Sequence, residues 1–242
     1  MHSMIKKPIN QNDTLNLEFL KSIKNEYQFS KTPINRTKNK AVISKKMTTD
    51  KLSKLEKLKE KINSIEDCKL KKNASQIVFN DGNIESNIMI VGEGPGQKED
   101  ELGKPFVGDA GILLNKMLKA INIERNQVYI TNVVNYRPPN NRKPETSEII
   151  RYSSFLREHI NIINPKILIL MGSTAMEALF GSKIKISKER GNWKELIINQ
   201  TTFLTIITFH PAYLLRQADQ KKYSWLDLKN IRKKIDKLGL KI

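Results

Sequence analysis

From Gln76 to the C-terminus, short apolar runs alternate with helical patterns, and this alternation limits the fold more than any other feature of the chain. "QIVF" (76–79), "NIMIVG" (87–92), "QVYITNVV" (127–134), "KILILMG" (166–172) and "TFLTIITF" (202–209) read as strands. Between them, "AGILLNKMLKAI" (110–121), "TSEIIRYSSFLREHINII" (146–163) and "STAMEALFG" (173–181) carry helical spacing, and "SWLDLKNIRKKIDKL" (224–238) closes the chain. Such alternation predicts an α/β fold with a mostly parallel sheet. In sheets of that kind, ligands bind in the loops beyond the carboxyl ends of the strands. Three loops here occupy that place, after Val91, after Ile130 and after Phe209.

Upstream the chain has a different character. Residues 1–47 are polar and basic and read as an N-terminal extension, with a short amphipathic helix over 14–29 and a linker over 30–46. Residues 48–242 read as the folded domain, opening on a helix over 48–65. Thr49 can cap that helix, and Leu52, Leu55, Leu58 and Ile62 repeat at spacings of three and four. Only 38% of the residues are hydrophobic, which fits a compact domain with a polar extension. The net charge of +18 suits a polyanion, and nucleic acid is a commoner partner of that kind than a membrane surface. The same lysines also fit compositional bias towards Lys, Ile and Asn. A single cysteine, Cys68, rules out an internal disulfide and fits a reducing cytoplasm. No apolar run is long enough to span a membrane, and the N-terminus has no secretory pattern.

The first loop, "VGEGPGQKEDELGKPFVGDAG", holds Gly92, Gly94 and Gly96, but Gln97 stands where a dinucleotide fingerprint needs glycine. The loop reads instead as backbone that approaches a ligand closely, with Glu93, Glu99 and Asp100 around it. Phe106, set among Gly and Pro, is unlike a core aromatic. The second loop begins at Asn132, whose amide offers one acceptor and two donors, a set suited to the edge of a base. An asparagine there also fits a strand end satisfying its own turn. The third loop carries His210 directly before Pro211, which holds the histidine backbone extended.

Together, "GEGPGQKED", "GKPFVGDAGILLNKML", "YITNVVNYRPPNNR" and "FHPAYLLR" resemble, in order and spacing, the family 4 uracil-DNA glycosylases. The resemblance runs from Leu52 to the C-terminus. It implies a three-layer α/β/α sandwich around a four-stranded, mostly parallel sheet. It also implies hydrolysis of the N-glycosidic bond of uracil in DNA by an enzyme acting as a monomer on a flipped base. Phe106 would stack on the base, with Gly92 and Gly94 allowing close approach. Asn132 would accept from N3–H and donate to O4. A neutral His210 would donate to O2 as negative charge grows there. Glu93 would stabilise the cationic sugar or orient water, with Gln97 and Asp100 as further candidates on the water side. Leu214, four residues past His210, matches the wedge that fills the vacated stack, beside Tyr213. Arg142 and Arg216 are candidate phosphate contacts. A catalytically inactive DNA-binding relative is the alternative, and the survival of Glu93, Phe106, Asn132 and His210 favours the enzyme.

Members of that family hold an iron–sulfur cluster through four cysteines. Here the corresponding positions are Ile65, Cys68, Tyr136 and Tyr152, and one thiolate cannot replace four. The expectation is an enzyme without cluster or other metal. Ile65, Cys68, Tyr136 and Tyr152 should then form one packed plug whose phenol oxygens reach solvent or a hydrogen-bond partner.

Overall fold

A computed structural model of the chain describes the backbone of residues 36–241 and the side chains of 48–241. The chain divides into two units, Met1–Lys45 and Lys46–Ile242, and the sheet belongs to the second. The helix expected over 14–29 lies outside the described residues. The linker expected over 30–46 is helical from Arg36, because α1 runs Arg36–Asn63. No Gly or Pro interrupts residues 36–49, and Lys, Arg and Ala are good helix formers, so the helix does not wait for a cap at Thr49.

The sheet has six strands in the order β1-β3-β2-β4-β6-β5. Its centre is four parallel strands: β3 (Tyr129–Asn132), β2 (Ile88–Gly92), β4 (Ile167–Met171) and β6 (Thr201–Thr208). This is the expected parallel core, widened by an antiparallel strand at each edge, β1 (Asp81–Gly82) and β5 (Trp193–Ile198). β5 has no clear signal in the sequence because Lys194 and Glu195 break its apolar pattern, as an edge strand with one open face allows. "QIVF" lies beside the sheet rather than in it. Val78 N–H donates to Asn135 O at 2.8 Å, and Asn135 Nδ2 donates back to Val78 O at 3.1 Å.

The side-chain period of two in each strand sorts the core into two layers. Met89 and Val91 of β2, Leu168 and Leu170 of β4, and Phe203 and Ile207 of β6 face one side. They meet Leu55, Leu58 and Ile62 of α1, the short α2 (Lys69–Asn73), α5 (Thr146–Ile163) and α6 (Ser173–Phe180). Ile88, Ile90, Ile167, Ile169 and Ile206 face the other side. There they meet α4 (Asp109–Lys119), α8 (Pro211–Arg216) and α9 (Lys221–Lys237). Two further short helices, α3 (Gln97–Leu102) and α7 (Ile186–Glu189), sit in loops. No helix among the described residues is long and apolar enough to cross a membrane.

Cys68, Tyr136 and Tyr152 are buried in the first of these layers, and Ile65 packs against it. Both phenol oxygens have partners. Tyr152 Oη lies 3.4 Å from Cys68 Sγ, and Tyr136 Oη donates to Asn63 Oδ1 at 2.6 Å. Burial raises the pKa of both tyrosines, so both hydroxyls stay protonated. Tyr152→Ala is expected to lower stability by about 3–5 kcal/mol, the usual cost of emptying a buried aromatic site; urea denaturation measures it.

Candidate active site

The carboxyl ends of β2, β3, β4 and β6 open on a cavity of about 860 Å³. Glu93, Gly94, Phe106, Asn132, Arg142, His210, Tyr213 and Arg216 all line it. Four candidates do not: Gly92, Gln97, Asp100 and Leu214. Gly92 lies just beneath. A Cβ there would stand 2.4 Å from Asn132 Oδ1 and 2.5 Å from the Phe106 ring, so any larger residue would displace both side chains.

Phe106 has φ 55, a region in which a bulky side chain is strained. Two groups hold it there. Glu99 accepts from Val107 N–H at 2.9 Å, Gly108 N–H at 2.7 Å and Gly96 N–H at 3.1 Å, tying both sides of the loop to one carboxylate. Arg125 donates to Pro105 O at 2.7 Å and Phe106 O at 3.0 Å, and is itself anchored on Asp81 at 2.8 Å. The Phe106 ring is 5% exposed and stacks on His210, with centroids 5.3 Å apart and planes 28° from parallel.

His210 caps α8. Its Nδ1 accepts from Ala212 N–H at 3.1 Å. An accepting Nδ1 places the proton of the neutral ring on Nε2, leaving Nε2–H as a donor. Burial, helped by the Arg216 charge, pushes the His210 pKa down to about 4, so the ring is neutral at physiological pH. Behind it, Thr208 Oγ1 donates to Asp227 Oδ2 at 2.7 Å, and Arg190 ion-pairs with the same carboxylate. This buried pair anchors the end of β6, two residues before His210.

Asn132 is 3% exposed, yet no group among the described residues hydrogen-bonds its side-chain amide. A buried amide facing a cavity without a protein partner is matched by a ligand or by water. Glu93 accepts from the Thr174 hydroxyl through Oε2. Among the described residues no group is bonded to its other oxygen.

The remaining candidates are placed differently from the expectation. Asp100 is 3% exposed and receives Ser75 N–H at 2.9 and 3.1 Å and Gln76 N–H at 3.4 Å. Both its oxygens anchor the chain entering the domain, so it is not a water-side group. Gln97 is exposed and donates to Glu101 at 3.0 Å on its own helix, away from the cavity. Leu214 is 1% exposed and packs in the core beneath α8. A wedge must stand free of the protein, and on α8 the exposed neighbour is Leu215, at 48%. The first turn of α8 directs Leu214 inward. Arg142 lines the cavity but is held by Glu148 through two bonds of 2.8 and 2.7 Å, which also keep the Glu148 carboxyl below its ordinary pKa. Arg216 has no ion pair among the described residues, and so is the better placed of the two arginines for an anion. Two groups have no distinct signal in the sequence. Glu99 reads there only as part of an acidic cluster. The turn after β4, which brings Gly172 and Ser173 to the cavity wall, carries no charged or aromatic residue to mark it.

The chain matches the sequence model of the uracil DNA glycosylase superfamily over residues 79–230. The type-4 uracil-DNA glycosylase of Thermotoga maritima is 42% identical to it over 168 residues, spanning 69% of this chain and 86% of that protein. That of Sulfurisphaera tokodaii is 42% identical over 190 residues, spanning 75% and 84%. That of Pyrobaculum aerophilum is 38% identical over 167 residues, spanning 67% and 85%.

A second histidine, His159, is buried in the core, shares a hydrogen bond of 2.6 Å with Tyr129 Oη, and has its pKa lowered to about 3 by burial. Both folded pKa values lie below the ordinary 6.5, so between pH 6.5 and 4 the unfolded chain binds more protons than the folded one. Stability should therefore fall as pH drops through this window, by up to about 1.4 kcal/mol per pH unit for each histidine. Urea midpoints at pH 7.5, 6 and 5 measure the slope, and His159→Asn should make it shallower.

Proposed function

The chain belongs to the uracil DNA glycosylase superfamily, and from that membership we propose that it excises uracil from DNA by hydrolysing the N-glycosidic bond. Residues 48–242 form the glycosylase domain and residues 1–47 a basic extension. The observation that carries the reading is the amide of buried Asn132, without a hydrogen-bond partner among the described residues and set in one cavity with Glu93, Phe106 and a neutral His210.

The base must leave the stack to reach this cavity, at a cost of a few kcal/mol. Phe106 then offers its ring face. Asn132 accepts from N3–H of uracil and donates to O4. Cytosine presents the opposite pattern and would leave buried groups unpaired, a mismatch of the kind that can discriminate by about 10⁴. As the bond from the sugar carbon to N1 breaks, its electron pair moves onto the base and charge accumulates on O2. His210 Nε2–H donates to that oxygen, and a ring already neutral places no desolvated cation in the cavity. Glu93 faces the cationic sugar, where its carboxylate stabilises positive charge or orients the water that adds to the sugar carbon. Arg216 and Tyr213 at the rim meet the DNA backbone, and the chain's excess of positive charge draws the polyanion in.

The family's iron–sulfur cluster does not fit this chain. Cys68 is the only cysteine, and Ile65, Tyr136 and Tyr152 stand at the other ligand positions. Tyr152 Oη packs at 3.4 Å from the one remaining sulfur, in space a cluster would need. Among the described residues no group of three or more His, Cys, Asp or Glu could hold a metal. The reading is therefore a glycosylase whose fold and chemistry use side chains alone.

Purified protein, treated with chelator and incubated with a uracil-containing oligonucleotide, is expected to leave abasic sites that alkali cleaves. An uncut strand, with DNA binding retained, would establish the inactive relative instead. Asn132→Ala and His210→Ala are each expected to slow excision by about 10²–10³, the usual loss for one such donor, while circular dichroism shows the fold intact. Wild-type rates in both would place the base elsewhere.

A further inference from the structure

Gly172 joins β4 directly to α6, and this junction with the first turn of α6 touches both ends of the glycosylase chemistry. Gly172 N–H donates to Thr208 O at 2.8 Å, pinning the turn to the end of β6. Gly172 has φ 94, and a Cβ there would lie 3.0 Å from His210 Cβ, so the turn is packed against the histidine side chain. Two residues on, Thr174 lies in the first turn of α6 with no exposed surface. A threonine hydroxyl in a helix commonly bonds back to a carbonyl one turn earlier. This one instead crosses to the loop after β2 and donates to Glu93 Oε2. It is the only hydrogen bond to that carboxylate among the described residues, and Glu93 lines the cavity while Thr174 does not.

We propose that Thr174 is the positioning residue for Glu93: its buried hydroxyl holds one carboxylate oxygen so that the other faces the reacting sugar and water. The inference rests on the glycosylase reading of the cavity. Glutamate has three rotatable side-chain bonds and stands on a glycine-rich loop, so without a fixed partner its carboxylate samples many positions. The donor comes from a rigid element, a helix start buried against the sheet. The same turn abuts His210, so the group that meets the departing base and the group that meets the sugar are referenced to one short segment. Displacement of a reacting group by about 1 Å can cost 10²-fold in rate, which sets the scale expected here.

The test is steady-state uracil excision by Thr174→Val, which keeps the shape and removes the donor, and by Thr174→Ser, which keeps the donor. Valine should lower kcat by about 10–100-fold with KM within a factor of two, and serine should restore most of the rate. In a Glu93→Gln background the valine substitution should cost little more, because the carboxylate it serves is already gone. Thr174→Ala replaces valine in the same cycle if the valine protein does not fold. Near wild-type kcat in Thr174→Val, or an equal loss with and without Glu93, would overturn the positioning role while leaving the glycosylase reading intact. A wild-type protein that releases no uracil would overturn both.

Discussion

Phe106 at φ 55 is the constraint around which the site is built. That backbone region costs a bulky residue on the order of 1–3 kcal/mol and persists only where its surroundings over-determine it. Here they do. Glu99 collects three backbone N–H groups from both sides of the loop, and Arg125 clamps the carbonyls of Pro105 and Phe106. Below the ring, glycine at position 92 is required because the ring and the Asn132 amide occupy the space of a side chain. The result is an aromatic that, against the expectation from its Gly and Pro neighbours, is buried in the second core layer and still borders the cavity.

The cavity also shows how a strongly basic chain keeps its reactive centre free of misplaced charge. The net charge is +18, but the histidine at the centre is neutral, because burial and the nearby Arg216 both oppose a second cation. Arg142, at the wall, is matched by Glu148. Asp227, buried behind β6, is matched by Arg190 and Thr208. Among the described residues of the cavity wall, Glu99 is met by backbone N–H groups alone, while Glu93 and Arg216 make no ion pair.

The plug at Ile65, Cys68, Tyr136 and Tyr152 belongs to the layer beneath α1 and α5, while the cavity opens at the carboxyl ends of the strands. These regions share the sheet but no lining residue, so one can change its chemistry while the other keeps its geometry. Tyr136 and Tyr152 are buried there with both hydroxyls partnered, and Ile65 packs against the same layer.

The parallel core is legible in the sequence, because continuous apolar strands and amphipathic helices have few other ways to bury their faces. So are the loops at the strand ends, since Gly, Pro, Asn and His mark those boundaries through local backbone and side-chain chemistry. Which way a side chain turns once its loop is packed is not written there. Asp100 and Glu99 are adjacent carboxylates on one short helix, and only the fold sends the first to the entering chain at Ser75 and the second to the Phe106 loop. Leu214 and Leu215 are chemically identical, and only the seating of α8 on the core buries one and exposes the other. The bond from Thr174 to Glu93 spans 81 positions and joins the start of a helix to a loop by a single hydroxyl. No local pattern encodes such a contact, because it exists only when the sheet has brought β2 and β4 side by side.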